Sequence, residues 1–336
     1  MRIAIVGYGY WGPNLLRNFS AIKDCELAYV CDFRPERLSL VAAINPSVIC
    51  TSRFEDLLDD ASLDAVVIAT PVFTHFDLAK KALLSGKHVL IEKPMTSSAA
   101  EAKELIEIAD RTHKILMVDH TFLYTGAVQK IKQLMADGVI GKPTYFDSTR
   151  INLGLFQPDI NVLWDLAPHD ISILDYLIDD VPYSVNATGV SHTGNDIENI
   201  AYLTINYQSG FIAHFNCSWS SPVKLRNILI GGDKKMLLFN DLEPSEKLRI
   251  YDTGYDHKSD EDKRRVMVDY RAGDVFIPKV AQKEALFGMA SDFVASIREQ
   301  RSPVSSALSG LRVINILEAS QKSIKSNGKE IVLQWN

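Results

Sequence analysis

Met1-Arg-Ile-Ala-Ile-Val-Gly7-Tyr-Gly9-Tyr-Trp-Gly12 is the stretch that decides the fold of this chain. Ile3, Ala4, Ile5 and Val6 form a short apolar run, the pattern of a strand buried on both faces of a parallel sheet. Gly7, Gly9 and Gly12 follow at G-x-G-x-x-G spacing, and Leu15, Leu16 and Phe19 then recur at helical period. The segment reads as strand, tight turn and helix, with the helix N-terminus aimed at a pyrophosphate. Gly7 permits the turn, Gly9 lets the backbone approach the phosphates, and Gly12 allows close helix–strand packing. Glycine turns alone are common. The strand before this one and the helix after it raise it to a dinucleotide site.

A chain of 336 residues is long for one α/β domain, and two domains are expected. With 46% hydrophobic and 23% charged residues it has the composition of a globular protein with sizeable cores. The net charge of −6 argues against a nucleic-acid partner, which calls for a basic surplus. Cys25, Cys31, Cys50 and Cys217 show no C-x-x-C spacing, and Cys31 and Cys50 lie in or near apolar segments as small core residues. No secretory leader is expected before the first strand, and no apolar run approaches a membrane span. A cytoplasmic protein without a membrane partner is the expectation.

Leu27 to Asp32 reads as a second strand ending in a carboxylate, twenty residues past Gly12. That is where a Rossmann unit places the acid that binds the adenosine ribose hydroxyls, although Asp32 could also cap the helix that Pro35 and Glu36 open. A carboxylate there repels a 2′-phosphate and favours NAD. Arg34, two residues on, would hold such a phosphate or stack on adenine, so NADP stays open. Ser47–Ser52 and Leu63–Thr70 read as further strands, the second stopped by Pro71 at the sheet edge where ligands bind. Thr74 and His75 start the next helix. Lys87–Glu92 runs into Lys93-Pro94, a second charged, proline-stopped strand end, and a sixth unit follows with a helix from Ser98 to Arg111 and a strand from Ile115 to His120. A Glu-Lys pair is by default a solvated ion pair; its place on the same sheet edge as the glycine turn makes it a site candidate.

Gly7-x-Gly9-x-x-Gly12, Asp32, Ala69-Thr-Pro71 with His75, and Glu92-Lys93-Pro94 together resemble the glucose–fructose oxidoreductase / inositol dehydrogenase / rhizopine-catabolism (Gfo/Idh/MocA) oxidoreductase family. The resemblance spans essentially the whole chain. It implies that Tyr10, Trp11, Thr70, Pro71, His75, Glu92, His120 and Trp164 join the glycines, Asp32 and Arg34 around the cofactor. It implies too that Lys93 lies near the nicotinamide and the reacting hydroxyl, with a Lys93-Pro94 bond that is often cis. The Arg and Pro that many members carry after the strand ending at His120 are replaced here by Leu123 and Gly126.

Beyond residue 120 a helix is expected from Thr121, ended by Gly138-Val-Ile-Gly141, and then an alternating strand from Pro143 to Asn152. Arg150 and Asn152 share one face of that strand, facing either a substrate cleft or a buried hydrogen-bond network. In Trp164-Asp165-Leu-Ala-Pro168-His169-Asp170, a helix opened by Pro168 would set His169 one turn from Asp165. A carboxylate so placed orients an imidazole acting as general base near neutral pH. A cap, a structural contact, or a metal site using Asp165, His169 and His120 or Asp170 are the alternatives. The resemblance implies that Lys93, Asp165 and His169 form the catalytic set, with Lys93, Arg150, Asn152, Asp165 and His169 around the substrate.

Tyr183–Val190, Ala201–Tyr207, Phe211–Trp219, Arg226–Gly231, Lys235–Phe239 and Leu248–Tyr251 read as strands, and 256–265 as a solvated charged loop. Helices over Lys283–Glu299 and Leu308–Ser326 and a strand at Ile331–Leu333 close the chain. The expected architecture is an α/β protein: a doubly wound parallel Rossmann domain over 1–120, then an α+β domain over 121–336 with a large open, mostly antiparallel sheet. Such a sheet needs its outer face covered, so a homodimer or homotetramer is expected, and the C-terminal helices are free to pack on the first domain. The function this implies is NAD-dependent hydride transfer at a secondary alcohol or ketone of a sugar, leaning to a nucleotide-linked sugar at C3. A free-sugar or inositol dehydrogenase and a non-catalytic NAD-sensing regulator are the competing readings.

Overall fold

The four apolar residues after Arg2 form the centre of a sheet. A computed structural model describes residues 1–194, 196–256 and 269–335, and most of the charged segment 256–265 lies outside them. The chain divides into two compact units, 1–125 with 283–315, and 126–282 with 316–336.

In the first unit, β1 (Arg2–Val6), α1 (Gly12–Ser20), β2 (Glu26–Cys31), α2 (Pro35–Ile44), β3 (Ile49–Thr51), α3 (Glu55–Asp59), β4 (Ala65–Ile68), α4 (His75–Leu84), β5 (His88–Glu92), α5 (Ala99–Thr112) and β6 (Leu116–Asp119) alternate. The strands pair in parallel in the order β3-β2-β1-β4-β5-β6. The order reverses at β1/β4, which opens a crevice at the carboxyl ends of the strands. Glu92 and Asp119 end β5 and β6 side by side in register.

The expected division at 120/121 leaves the C-terminal helices free to join the first unit, and one of them is found there. Helix α8, which in chain order is Ala285–Glu299, belongs to the first unit. Its apolar residues Leu286, Met289, Ala290 and Phe293 share a core with Leu15 and Phe19 of α1, and Phe19 and Phe293 meet edge to face at 6.4 Å. The cause is the apolar stripe of α1, which needs a second helix to cover it. Glu284 fixes the approach by accepting from Arg17 and Asn18.

The second unit contains α6 (Gly126–Ala136), β7 (Pro143–Leu153), α7 (Val162–Leu177), β8 (Pro182–Val190), β9 (Ile200–Tyr207), β10 (Ile212–Ser218), β11 (Ser220–Gly232), β12 (Met236–Asn240), β13 (Leu248–Asp256), β14 (Asp269–Phe276) and β15 (Ile331–Val332). Helix α9 (Ala307–Lys325) crosses from one unit to the other along the chain. The nine strands form one sheet in the order β14-β13-β12-β11-β7-β10-β9-β8-β15, parallel only between β7 and β10. Helix α7 packs on β7, β9 and β10. A helix opening at Pro168 is corrected: α7 starts six residues earlier, and Pro168 lies inside it. The start is set by Asn161, whose side chain accepts the Trp164 N–H at 3.1 Å. The short turn 121–124 is 3-10 helix rather than the beginning of α6, and β14 was not anticipated from the sequence.

Candidate active site

At the carboxyl edge of the first unit's sheet lies a cleft of about 890 Å³, lined by Gly7, Gly9, Asp32, Arg34, Thr70 and Pro71 among others. Gly7 has φ +95°, and a Cβ there would come 2.5 Å from the Ala69 carbonyl oxygen. A Cβ at Gly12 would stand 2.9 Å from the Gly7 oxygen. Protein crowding demands glycine at both. At Gly9 the nearest atom to an added Cβ is Arg34 Nη2, at 4.0 Å. No protein atom fills that space, so the open floor above Gly9 fits a pyrophosphate resting on the α1 N-terminus. Tyr10 and Trp11 stand out from the same turn, 85% and 41% exposed, edge to face at 5.4 Å.

Asp32 is 4% exposed. It accepts the Tyr8 N–H at 2.7 Å, the Arg34 N–H at 2.9 Å, and both arms of the Arg34 guanidinium at 2.9 and 2.8 Å. Burial pushes its carboxyl up, but the bonds from Arg34 and Tyr8 outweigh burial and hold it at about 2. Arg34 stays a third exposed and also lies over Phe33, 5.3 Å from the ring centre. Asp32 and Arg34, the two residues expected to bear on the choice between NAD and NADP, thus form one unit, a carboxylate with a cation already seated on it.

The other edge residues separate into two groups. Thr70 and Pro71 line the cleft, with the Thr70 and Thr74 hydroxyls 2.6 Å apart. His75 does not: it is 1% exposed, with ring nitrogens 2.8 Å from the Thr70 carbonyl and 3.0 Å from the Pro94 carbonyl. The ring lies between the ends of β4 and β5, in the interior, where the nitrogen that carries the proton donates to one of these carbonyls. The Lys93-Pro94 bond is cis.

Glu92, whose carboxylate accepts the Lys93 N–H at 3.2 Å, also hydrogen-bonds the Asp119 carboxyl, and Thr121 donates to Asp119. Burial, then the neighbouring Asp119 charge, raises Glu92 well above the carboxylate range; burial likewise raises Asp119. Two buried carboxyls in contact hold a proton between them. His120, fully buried at the end of β6, has no hydrogen-bond partner for either ring nitrogen among the described residues. Burial, and then the Lys93 charge, draws it down to about 3, so it is a neutral imidazole. Asp119 escaped the sequence reading although the signal was present: a second carboxylate ending a strand next to the one that ends in Glu92.

In the second unit Asp165 and His169 occupy successive turns of α7, both half-buried. Asp165 Oδ2 accepts the indole N–H of Trp219 at 3.0 Å. Trp164 is half-buried in the first turn of the same helix, and Asn152 is half-buried near the end of β7. Of the two places left open for Arg150, the structure shows the buried hydrogen-bond network. It is 4% exposed, and its guanidinium donates to both oxygens of Asp170 at 2.9 and 2.6 Å, while Ser148 donates to the same carboxylate at 2.7 Å. Asp170 is thereby spent in the interior. Among the described residues no group of three or more His, Cys, Asp or Glu side chains is placed to hold a metal ion, and no helix is long and apolar enough to cross a membrane. Trp219 was missed, and no sequence signal pointed to it: its meeting with Asp165 depends on how α7 lies on β10.

Residues 1–120 match the family model of the oxidoreductase family with an NAD-binding Rossmann fold, and residues 128–238 match the GFO/IDH/MocA C-terminal domain. The UDP-N-acetylglucosamine 3-dehydrogenase of Acidithiobacillus ferrooxidans is 31% identical over 334 residues, covering 94% of each chain. Its solved structure superposes with a TM-score of 0.79 over 98% of this chain and 99% of that one, at 28% identity. A D-apiose dehydrogenase of Paraburkholderia graminis is 26% identical over 229 residues, 65% of this chain and 60% of its own. An Agrobacterium radiobacter oxidoreductase, crystallised with NAD+, L-tartaric acid and magnesium, shares the fold at TM-score 0.81 and 20% identity, over 99% of this chain and 98% of that one. The glycine turn, the strand-end Glu92-Lys93-Pro94 and the matches across both units make this chain a member of the Gfo/Idh/MocA family of NAD-binding oxidoreductases.

Proposed function

We propose that the chain is a sugar dehydrogenase acting on a nucleotide-linked sugar, moving a hydride between a secondary alcohol, at C3 in the fullest form of the reading, and NAD. The observation that carries it is the 31% identity along 94% of the chain to an enzyme named for that reaction, in a chain that has Lys93, Asp165 and His169. Bound NAD supplies the hydride acceptor or donor. The glycine turn and Asp32 hold its pyrophosphate and adenosine ribose. His169 takes the proton of the reacting hydroxyl, Asp165 holds the imidazole in the tautomer that can accept it, and the Lys93 ammonium steadies the negative charge that builds on the oxygen. In the reverse direction the same imidazole returns the proton.

The test is NADH fluorescence on mixing the protein and NAD with UDP- and dTDP-linked sugars, uronic acids, inositol and free hexoses. Turnover of a nucleotide sugar, lost in Lys93→Ala and in His169→Ala with NAD still bound, is the expected result. Turnover of free sugars or inositol alone would replace the nucleotide-sugar reading. Binding of NAD without turnover of any sugar, in either direction, would turn the reading to an NAD sensor.

A further inference from the structure

We infer that Trp219 is a positioning residue for the Asp165 carboxylate, a role that rests on the reading of Asp165 given above. Trp219 occupies the single residue between β10 and β11, and its backbone is pinned on both sides. Its N–H donates to the Asn199 carbonyl at 2.9 Å and its carbonyl accepts the Gly154 N–H at 3.0 Å. The side chain is 1% exposed. The Phe156 ring packs on it with centroids 5.6 Å apart, and a Cβ at Gly154 would come 3.1 Å from its Cδ1. An indole so enclosed has very little freedom to turn. Its one polar atom, Nε1, meets Asp165 Oδ2 at 3.0 Å.

An indole N–H is a donor only, so the direction of this bond is not in doubt: Asp165 offers a lone pair and Trp219 fills it. A buried indole needs some acceptor, and a backbone carbonyl or a hydroxyl would do. Here the acceptor is a carboxylate in the first turn of α7, one turn from His169. A carboxylate with one oxygen held by a rigid donor has its plane set before substrate arrives, and a fixed orienting group fixes the imidazole it serves. Glycine at 154 lets the loop after β7 lie on the indole, so that loop, Trp219 and Asp165 form one packed train.

The experiment compares Trp219→Phe, Trp219→His and Asp165→Asn, using NAD and the nucleotide sugar selected by the panel above, together with proton–nitrogen NMR spectra of the four indole N–H groups. Trp219→Phe, which keeps a ring and loses the donor, is expected to lower kcat by about tenfold to a hundredfold. KM changes little, and Trp219→His, which restores a ring N–H, recovers much of the loss. A purely structural tryptophan would lower stability and leave kcat per folded molecule alone. The Trp219 indole resonance, assigned by its absence in Trp219→Phe or Trp219→His, is expected to move upfield in Asp165→Asn, where the acceptor loses its charge. Wild-type kcat in a folded Trp219→Phe, with Asp165→Asn inactive, would overturn the inference and leave the functional reading standing. An indole resonance unmoved in Asp165→Asn would overturn it whether or not Trp219→Phe folds. An active Asp165→Asn with a shifted resonance would instead remove the functional reading, and the role of Trp219 with it.

Discussion

Asp32 and Asp170 each accept the two arms of an arginine, at nearly the same distances, and the two pairs serve opposite ends. The Asp32–Arg34 pair closes over two residues of local chain at the lip of the cofactor cleft, with 33% of the Arg34 side chain exposed. The Arg150–Asp170 pair joins β7 to α7 in the interior, with 5% and 3% of the side chains exposed. An exposed cation can trade its carboxylate partner for water or a ligand phosphate at little cost; a sealed one cannot. Position relative to solvent, rather than the chemistry of the fork, leaves one pair open to a ligand and makes the other a strut.

Removing one partner tests that contrast most directly. Arg150→Ala leaves the Asp170 carboxylate buried with Ser148 still donating to it, and is expected to cost about 3–5 kcal/mol of unfolding free energy in a denaturant titration. A cost under about 1 kcal/mol would mean that water reaches the pair and that the contrast is false.

The next effect is one of pH. Asp32 is held at about 2 against an ordinary 3.8, so the folded state binds its proton less readily than the unfolded chain. The stabilisation is complete above 3.8 and is lost as pH falls through about 2, amounting to about 2 kcal/mol. Acid unfolding of Asp32→Asn is expected to lose that part of its pH dependence, and the variant should bind NAD more weakly by calorimetry.

A third pair sharpens the comparison by replacing the cation with another acid. Glu92 and Asp119 are raised above the carboxylate range, so the sign is reversed: the folded state holds a proton that the unfolded chain has given up. Stability falls as pH climbs above about 4, by up to about 1.4 kcal/mol per pH unit for one retained proton. Asp119→Asn still accepts from Thr121 and removes the like charge. Its melting temperature is expected to decline less than the wild type's between acidic and mildly basic pH.

The smallest effect belongs to the exposed partner. Arg34→Ala is expected to cost no more than the roughly 2 kcal/mol by which the guanidinium and Tyr8 favour the Asp32 carboxylate, less than Arg150→Ala because water can enter beside Asp32. NADP+ binding should fall, because the Asp32 charge then faces a 2′-phosphate unopposed, while the NAD+ Kd stays within about threefold, roughly 0.7 kcal/mol. An NADP+ affinity unchanged in Arg34→Ala would remove the guanidinium from coenzyme choice.

The same contrast explains what the sequence could reveal. The first unit was legible because its site is made of local geometry: a strand end, a glycine turn, a helix start and Asp32 at a set spacing. Each β–α step carries its own punctuation, as at Pro71 and Pro94, so the strands could be read one at a time. In the second unit the Asp165–His169 spacing was visible, whereas the start of α7 was not, since Asn161 rather than Pro168 caps it. Arg150 stayed undecided between cleft and interior because alternation along β7 reveals which face a side chain takes and not what covers that face. The buried place of His75 was illegible for a related reason: its ring neighbours, the Thr70 and Pro94 carbonyls, are backbone atoms with no signature in the sequence. Trp219 lies 54 residues from the carboxylate it holds, a meeting fixed only when helix and sheet pack.

The return of residues 283–315 to the first unit bears on how the protein is made. A ribosome releases the glycine turn and all six strands of the parallel sheet long before it reaches Phe293. During that interval Leu15 and Phe19 on α1 have no covering helix, and the nascent unit carries a bare greasy flank. The whole nine-stranded sheet except β15 emerges in the meantime. The unit that carries the glycine turn is therefore begun before the nine-stranded sheet, yet the apolar stripe of α1 is covered only once 285–299 has followed that sheet out of the ribosome.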